Sequence, residues 1–329
     1  MFVKNYDEII ATIKNYDAFK GDILQNEPLA NKSTFKVGGT ADLFIRPINY
    51  YSFQIVLSVL LESNTKFFIL GGGSNIVFPD HYDGVIISTQ SFSEIDYMEA
   101  ENCPEDFGKI ELTPNQCLVT CFSGTSIATL VNFCTKNNIH GVEQFAGLPG
   151  TVGGALFMNA RCFEKSISDV LFSTTYMEYM NTSVKLHHIL KNPDDWDYKR
   201  SPFQGNNRFI TTATFLLEQQ TETEHQTIEA DCKKYIAERV DKGHFKFPSA
   251  GSVFKNNHLF GKPSGKIIDE AGLKGYQIGG ARIADFHGNF IVNTGNATQK
   301  DILDLVTYIQ TQVQNQFGYK LEPEIIFLS

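Results

Sequence analysis

No apolar run in this sequence approaches the ~18 residues of a membrane-crossing helix, and residues Met1 to Glu8 do not have the make-up of a signal peptide. A cytoplasmic protein with no membrane partner is therefore expected. There is no Cys-x-x-Cys, and the six cysteines (103, 117, 121, 134, 162, 232) are scattered, with no histidine at zinc-ligand spacing. Neither a disulfide framework nor a metal site is indicated, and reduced core thiols are expected. Positive charge is scarce: 28 Lys and Arg stand against 37 Asp and Glu, a net charge of -9, which disfavours nucleic acid as a partner. Any anionic ligand must be held by a local cluster. Also missing are the Gly-x-x-x-x-Gly-Lys-Ser/Thr of a P-loop, the Gly-x-Gly-x-x-Gly of a dinucleotide turn and the Gly-x-Ser-x-Gly of a hydrolase elbow. Mononucleotide folds, classical NAD folds and serine hydrolases are thus disfavoured. No internal repeat or low-complexity tract occurs.

What is present is a 329-residue chain with 42% hydrophobic and 20% charged residues, the composition of a soluble globular protein of two or three units. Periodicity predicts helices over 6–20, around Phe53 to Leu61, over 125–137, around Ile228 to Ile236 and from Ile302 to Val313, the last capped by Thr298 and Asp301. Strands are expected at 41–46, 66–70, 84–88, 108–112, 117–123, 170–179 and 209–217, with an acidic surface loop at 99–106 between two of them. The Gly38-Gly39 pair reads as a sharp turn before a strand. Residues 321–328 read as a strand interrupted by Pro323 and able to pair with an earlier segment.

The chain is organised around Phe145 to Arg161, where Gly147, Gly150, Gly153 and Gly154 interrupt an apolar run. So many glycines argue against an ordinary core helix or strand. They point to positive φ or to a close approach, and a path of bare amides suits phosphate oxygens. A turn-rich core segment fits the stretch equally well on its own. A second glycine loop, Gly71-Gly72-Gly73-Ser74-Asn75, follows the 66–70 strand directly. Downstream, Arg239 to Lys242, Phe247 to Asn256 and Gly275 to Gly280 gather cations, amides and Ser252 around further glycines. Arg and Lys suit diphosphate and carboxylate oxygens, while Asn and Gln suit carbonyls and sugar hydroxyls. No triad partner marks Ser252, whose hydroxyl could instead donate a proton, and Glu322 and Glu324 flank Pro323 either as carboxylates able to polarise a reacting group or as a solvated strand end.

In this combination the chain resembles the UDP-N-acetylenolpyruvoylglucosamine reductase family. The resemblance runs from Ser33–Gly39 through Leu70–Asn75, the 145–161 stretch, Ala250–Asn256 and Gly272–Gly280 to Leu321–Glu324. Six motifs in order carry it, although any one alone is weak. It implies an α+β fold: a two-part FAD-binding unit of the vanillyl-alcohol-oxidase type, with subdomains at 1–88 (joined by a C-terminal strand, 318–329) and 89–218, and a substrate domain at 219–317. It implies non-covalent FAD, because Ser74 and Asn75 stand where some relatives of the fold carry a tethering histidine, with the diphosphate on Gly71, Gly72, Gly73, Ser74, Asn75, Gly147, Gly150, Thr151, Gly153 and Gly154. NADPH would be the co-substrate of a monomer that reduces a nucleotide-sugar enol ether to UDP-N-acetylmuramate.

By the same resemblance Ser252 is the proton donor and Glu324 the second catalytic residue. Tyr198, Lys242, Lys255, Asn256 and Gln277 match substrate contacts. One departure stands out. The family's arginine follows the tyrosine in Tyr-Arg-x-Ser, whereas here Tyr198 is followed by Lys199 and then Arg200. Lysine keeps the charge but loses the bidentate fork, so either residue is a candidate for the catalytic cation. Residues 218–248 look too short and helical for the extra tyrosine loop of some members, which implies the loop-lacking subtype. Two rival readings are an oxidase of the same fold, which would release peroxide, and a non-catalytic nucleotide-sugar binder.

Overall fold

The computed structural model describes residues 6–99, 112–181, 183–205, 207–220 and 222–329. Its helices are α1 (Tyr6–Lys14), α2 (Tyr50–Glu62), α3 (Ile127–Lys136), α4 (Val152–Phe157), α5 (Glu222–Asp241), α6 (Ser264–Glu270) and α7 (Gln299–Phe317). Its strands are β1 (Gly21–Pro28), β2 (Thr40–Pro47), β3 (Phe67–Leu70), β4 (Ile76–Val77), β5 (His81–Ser88), β6 (Ile95–Glu99), β7 (Gln116–Phe122), β8 (Ile139–His140), β9 (Arg161–Cys162), β10 (Lys165–Ser166), β11 (Leu171–Met180), β12 (Ser183–Leu190), β13 (Arg208–Gln219), β14 (Ser249–Ser252), β15 (Gln277–Ile278), β16 (Ala281–Ile283), β17 (Phe290–Asn293) and β18 (Ile326–Phe327). They form sheets in the orders β1-β2-β5-β3, β12-β11-β13-β7-β6 with β8 also on β13, and β14-β17-β16-β15, plus the pairs β9-β10 and β4-β18. The fold is α+β, as the resemblance implies.

Local chemistry sets the element ends. Asn49 caps α2 by accepting from the Ser52 amide, and Phe53, Val56, Leu57 and Leu60 form its buried face. On α7, Thr298 and Asp301 make the predicted capping box, Gly318 closes the helix at φ +74, and Ile302, Leu305, Val306, Ile309 and Val313 are buried. Helix α3 starts two residues later than the periodicity suggested, because Ser126 is its cap. The strand expected at 84–88 begins earlier, at His81. The Gly38-Gly39 turn has a steric cause: a Cβ on Gly39 would meet the Asp80 carbonyl oxygen at 1.7 Å. The strand expected at 108–112 and most of the acidic loop lie outside the described residues.

The compact parts of the chain are two. The first consists of Met1–Ile23, Ile45–Gly72 and Ile86–Ala237, and the second of Leu24–Phe44, Gly73–Val85 and Glu238–Ser329. In the first, the six-stranded sheet packs on α3 and α4, with Phe145, Phe203 and Phe215 fully buried. Each such ring contributes roughly 1.5–3 kcal/mol by leaving water. Cys117, Cys121 and Cys134 lie in the same core, and burial pushes the Cys121 thiol up to about 12, so it is not a nucleophile at neutral pH. In the second, Phe35, Val37 and Val77 pack with Phe254, Ile267, Ile302 and Ile309.

Two expectations are corrected. Residues 321–328 do not form one interrupted strand: Ile326 and Phe327 pair in parallel with Ile76 and Val77, whereas Pro323 pairs with Phe254 in an isolated bridge. There Lys255 donates to the Glu322 carbonyl (2.9 Å) and Glu324 to the Val253 carbonyl (2.7 Å). Pro323 therefore occupies a position whose N–H is not needed, which is how a strand admits proline. The second correction concerns the glycine stretch, since Val152–Phe157, with Gly153 and Gly154 inside it, is helix α4.

Candidate active site

β3 delivers the chain to Gly71 with no room for side chains. A Cβ on Gly71 would lie 2.6 Å from Oγ1 of Thr151, and one on Gly72 would lie 2.6 Å from Cα of Gly150. The two glycine loops thus meet backbone to backbone. Gly147 and Gly150 take φ +75 and +115, the left-handed side of the map. Gly153 has ordinary helical φ but faces the Cβ of Ser123 at 2.8 Å, so its helix tolerates glycine because another strand end needs the space. Gly154 has neither constraint, its nearest neighbour being Thr151 Oγ1 at 3.4 Å.

Two helices start beside these loops. Thr151 Oγ1 accepts from the Gly154 amide (3.3 Å) at the start of α4, and Ser126 Oγ accepts from the Thr129 amide (2.9 Å) at the start of α3. The two caps form an antiparallel bridge, tied by Ile127 N–H to the Gly150 carbonyl (3.1 Å) and Val152 N–H to that of Thr125 (2.8 Å). Around them opens a cleft of about 330 Å³, lined by Gly72, Gly150 and Thr151 and by Gln90, Ser93, Gly124, Ser126 and Thr129. None of these side chains is charged. Among the described residues, the amides of Gly71, Gly72, Gly73 and Ser74 donate to no carbonyl. The Gly72 amide, in the same cleft as the Ser126 start of α3, is the kind of group that suits an anion held by dipoles rather than by cations.

In the same unit, Asp197 and Arg200 exchange backbone hydrogen bonds of 3.2 and 3.0 Å around a two-residue turn, Tyr198-Lys199. Lys199 sits at φ +56, a left-handed conformation that is costly for a side chain with a Cβ. The turn is strapped to the end of α4: Asn159 Nδ2 donates to the Asp197 carbonyl (2.8 Å), Ser201 Oγ to that of Phe157 (2.8 Å), and Gln204 Nε2 to those of Phe157 (2.8 Å) and Lys199 (3.1 Å). Lys199 is half-buried with its ammonium 5.9 Å from the Tyr198 ring centroid, whereas Arg200 is exposed. The turn treats the two cations differently.

The second unit holds the rest. β14 and β17 pair Ser249 with Val292 and Ser252 with Phe290, so one extra residue is accommodated as a bulge with Gly251 at φ +77. Ser252 stands at the end of this bulge, one residue before the Val253 that bonds Glu324. Lys255 Nζ meets Glu322 Oε1 at 2.5 Å, and Asn256 Oδ1 accepts from the Ser264 amide (2.9 Å). Asn75 Nδ2 donates to the Glu324 carbonyl (3.0 Å). The Ser252–Lys255 segment, Glu324 and Asn75 are thus brought together from three distant parts of the sequence. Lys242 and Gln277 are outside this strand pair: Lys242 pairs with Glu238 at 3.4 Å and Gln277 Nε2 donates to the Gly279 carbonyl at 2.8 Å. The rings of His244 and His287 each lie 4.8 Å from that of Phe290, and burial, aided by Arg239, lowers His244 to about 4. It is neutral at physiological pH.

Sequence reasoning did not single out Gln90, Ser93, Gly124, Ser126 or Thr129 as cleft residues. Gly124 is required sterically, since a Cβ there would meet the Thr89 carbonyl oxygen at 1.9 Å. Ser126, as a hydroxyl immediately before an apolar helix, carried the one usable signal.

Comparison with known proteins matches different families to different regions of the chain. Residues 41–184, which include the first glycine loop and the cleft, match the family model of an FAD binding domain. Residues 243–328 match that of the UDP-N-acetylenolpyruvoylglucosamine reductase C-terminal domain. The chain is 37% identical over 332 residues to the UDP-N-acetylenolpyruvoylglucosamine reductase of Treponema denticola, covering 98% of each, and 38% identical over 306 residues to that of Borreliella burgdorferi, covering 92% of this chain and 94% of the relative. The solved UDP-N-acetylenolpyruvylglucosamine reductase (MurB) of Thermus caldophilus is similar with a TM-score of 0.69 at 25% identity, over 94% of this chain and all of that one. The chain belongs to the UDP-N-acetylenolpyruvoylglucosamine reductase family.

Proposed function

We propose that this chain reduces the enolpyruvyl ether of UDP-N-acetylenolpyruvoylglucosamine to UDP-N-acetylmuramate, as a cytoplasmic monomer using non-covalent FAD and NADPH. The observation that carries the reading is the hydrogen-bonded strand pair that sets Ser252 beside the segment of Glu324 in a member of this family. The glycine loops fit the cofactor's diphosphate: the amides of Gly71 to Ser74 donate to no carbonyl, Gly72 and Gly150 leave no side chain in the way, and no carboxylate lines the cleft. Gly71 to Ser74, Gly147, Gly150, Thr151, Gly153 and Gly154 would hold it. When bound, FAD supplies a two-electron relay that takes hydride from NADPH and delivers it to the β-carbon of the enolpyruvyl group.

The remaining work falls to side chains. Hydride arrival places negative charge on the substrate's enolate-like carboxylate, and a fixed cation lowers the cost of that charge. Lys199, at the apex of the Tyr198-Lys199 turn, is the residue we assign to this, with Arg200 outside it. The Ser252 hydroxyl donates the proton that the α-carbon takes up, and Glu324 polarises the reacting group. Lys242 and Lys255 suit the substrate's anionic groups, and Tyr198, Asn256 and Gln277 its carbonyls and hydroxyls. Helix α5 fills 222–241, the interval where some members carry an extra loop, which supports the loop-lacking subtype.

The test is the visible spectrum. The purified protein is expected to be yellow, to bleach anaerobically with NADPH and to recover its colour on adding the enolpyruvyl substrate. A colourless protein that takes up no added FAD would end the proposal, and a flavin reoxidised by oxygen alone would favour the oxidase. A second expectation concerns the cradle. Gly72→Ala forces the loops apart, because the new Cβ meets backbone at 2.6 Å, and should weaken FAD affinity at least about tenfold, a 1.4 kcal/mol effect. Gly154→Ala, with ordinary contact distances, should be the milder of the two in the same fluorescence titration.

A further inference from the structure

The segment from Ser252 to Lys255 has an unusual anchor. Asn289, only 3% exposed, uses every polar group it has. Its side-chain oxygen accepts from the Phe254 amide (2.8 Å) while its side-chain nitrogen donates to the Phe254 carbonyl (2.8 Å). Its own carbonyl accepts from the Val253 amide (2.9 Å), and its own amide donates to His287 Nδ1 (3.1 Å). The carboxamide thus behaves as one more strand residue against Phe254, on whose other side Pro323 forms its bridge. This bonding pattern admits one register of Val253 and Phe254, the dipeptide between Ser252 and Lys255. It also fixes His287 as the Nε2–H tautomer, because Nδ1 is an acceptor.

Asn75 does the matching work from the first glycine loop. Its Nδ2 donates to the Glu324 carbonyl at 3.0 Å, and its own carbonyl accepts from the Ile326 amide at 3.0 Å. Glu324 in turn donates to Val253. One N–H of the side-chain nitrogen is thus held by the strand that carries Glu324.

We propose that Asn289 and Asn75 are positioning residues that clamp the Ser252 and Glu324 strands in register, so that Asn75 serves proton delivery rather than cofactor binding. The proposal rests on the reductase reading, in which Ser252 supplies the proton. A clamp acts only through the group it positions. A displacement on the order of 1 Å at a reacting group costs ~100-fold, and that loss disappears once the group is gone.

The test uses flavin-loaded Asn289→Asp and Asn75→Asp, each of which keeps the side chain's shape and one acceptor while removing the donor. Four quantities are measured: FAD affinity by fluorescence, anaerobic bleaching by NADPH, reoxidation by the enolpyruvyl substrate, and that reoxidation again in a Ser252→Ala background. FAD affinity and bleaching should stay within about threefold of wild type, while reoxidation slows by roughly 30–100-fold. In the Ser252→Ala background the same substitutions should change reoxidation by less than about threefold. Equal slowing with and without Ser252, or a loss of FAD affinity that tracks the loss of reoxidation, would overturn the clamp and return Asn75 to the cofactor. If Asn289→Asp does not fold, Asn75→Asp carries the same four measurements. A wild-type protein that never bleaches with NADPH removes the underlying reading instead, which separates the two failures.

Discussion

Ser252→Ala enzyme, given NADPH without oxygen, should bleach at the wild-type rate and then stay bleached. Addition of the enolpyruvyl substrate should restore colour at least ~100-fold more slowly than in wild type, the contribution typical of a positioned general acid. That factor corresponds to about 2.7 kcal/mol of barrier. The asymmetry follows from position. Ser252 ends the bulged strand β14, one residue from the Val253–Glu324 hydrogen bond, and lines none of the cleft to which the cofactor's diphosphate is assigned. Removing a hydroxyl from a half-buried position leaves no orphaned core partner, so folding and flavin content should be unchanged. Rapid-mixing absorbance of the two half-reactions measures the effect directly. Equal slowing of both would show that Ser252 shapes the cofactor site and is not the acid.

The second large effect is expected at Lys199. Lys199→Ala should lower turnover by roughly 100-fold or more, in the range found when a group that stabilises developing oxyanion charge is removed. Arg200→Ala should cost about tenfold at most. The difference comes from the turn. Asp197 and Arg200 are its paired ends, while Lys199 stands at the apex in a left-handed conformation, half-buried and held by Gln204. Strained backbone recurs at functional sites, which makes this lysine's side chain the one to test. Lys199→Arg offers a sharper comparison, because a guanidinium restores the two-pronged contact that lysine lacks and should keep most of the activity. If Arg200→Ala is the more damaging, the charge comes from Arg200 and the apex lysine is a turn residue.

Much of this was legible in the chain before any coordinates. Helices α2 and α7 declare themselves by apolar spacing and caps, and the loops at Gly71 and Gly147 by glycines in otherwise apolar surroundings. β1, β12 and the short strands β14 to β17 were not anticipated. β1, Gly-Asp-Ile-Leu-Gln-Asn-Glu-Pro, has neither alternation nor a β-branched run, and the two-residue strands exist only through their partners. The same holds for the site. Ser252 and Glu324 carry local motifs, but their adjacency is made by a bridge across some seventy positions, and Asn289 looks like any loop asparagine until its four partners are known. Helix α4 is hidden in the sequence because the helical cost of its glycines is visible there, whereas the crowding from Ser123 that requires Gly153 is not.

The two compact units are each assembled from three separate stretches of chain, and this has a consequence for how the protein is made. The core of the second unit packs Phe35, Val37 and Val77 against Ile302, Val306 and Ile309. During synthesis, the early residues must wait with apolar surface uncovered until the last helix emerges, while the first unit can complete its sheet once β13 has left the ribosome. Such long-range closure slows folding and exposes the chain to aggregation. The glycine loop at Gly71 to Asn75 crosses the boundary between an early-closing and a late-closing unit. Gly71 and Gly72 are therefore organised at a different time from Gly73 to Asn75, although the chain runs through all five without a break.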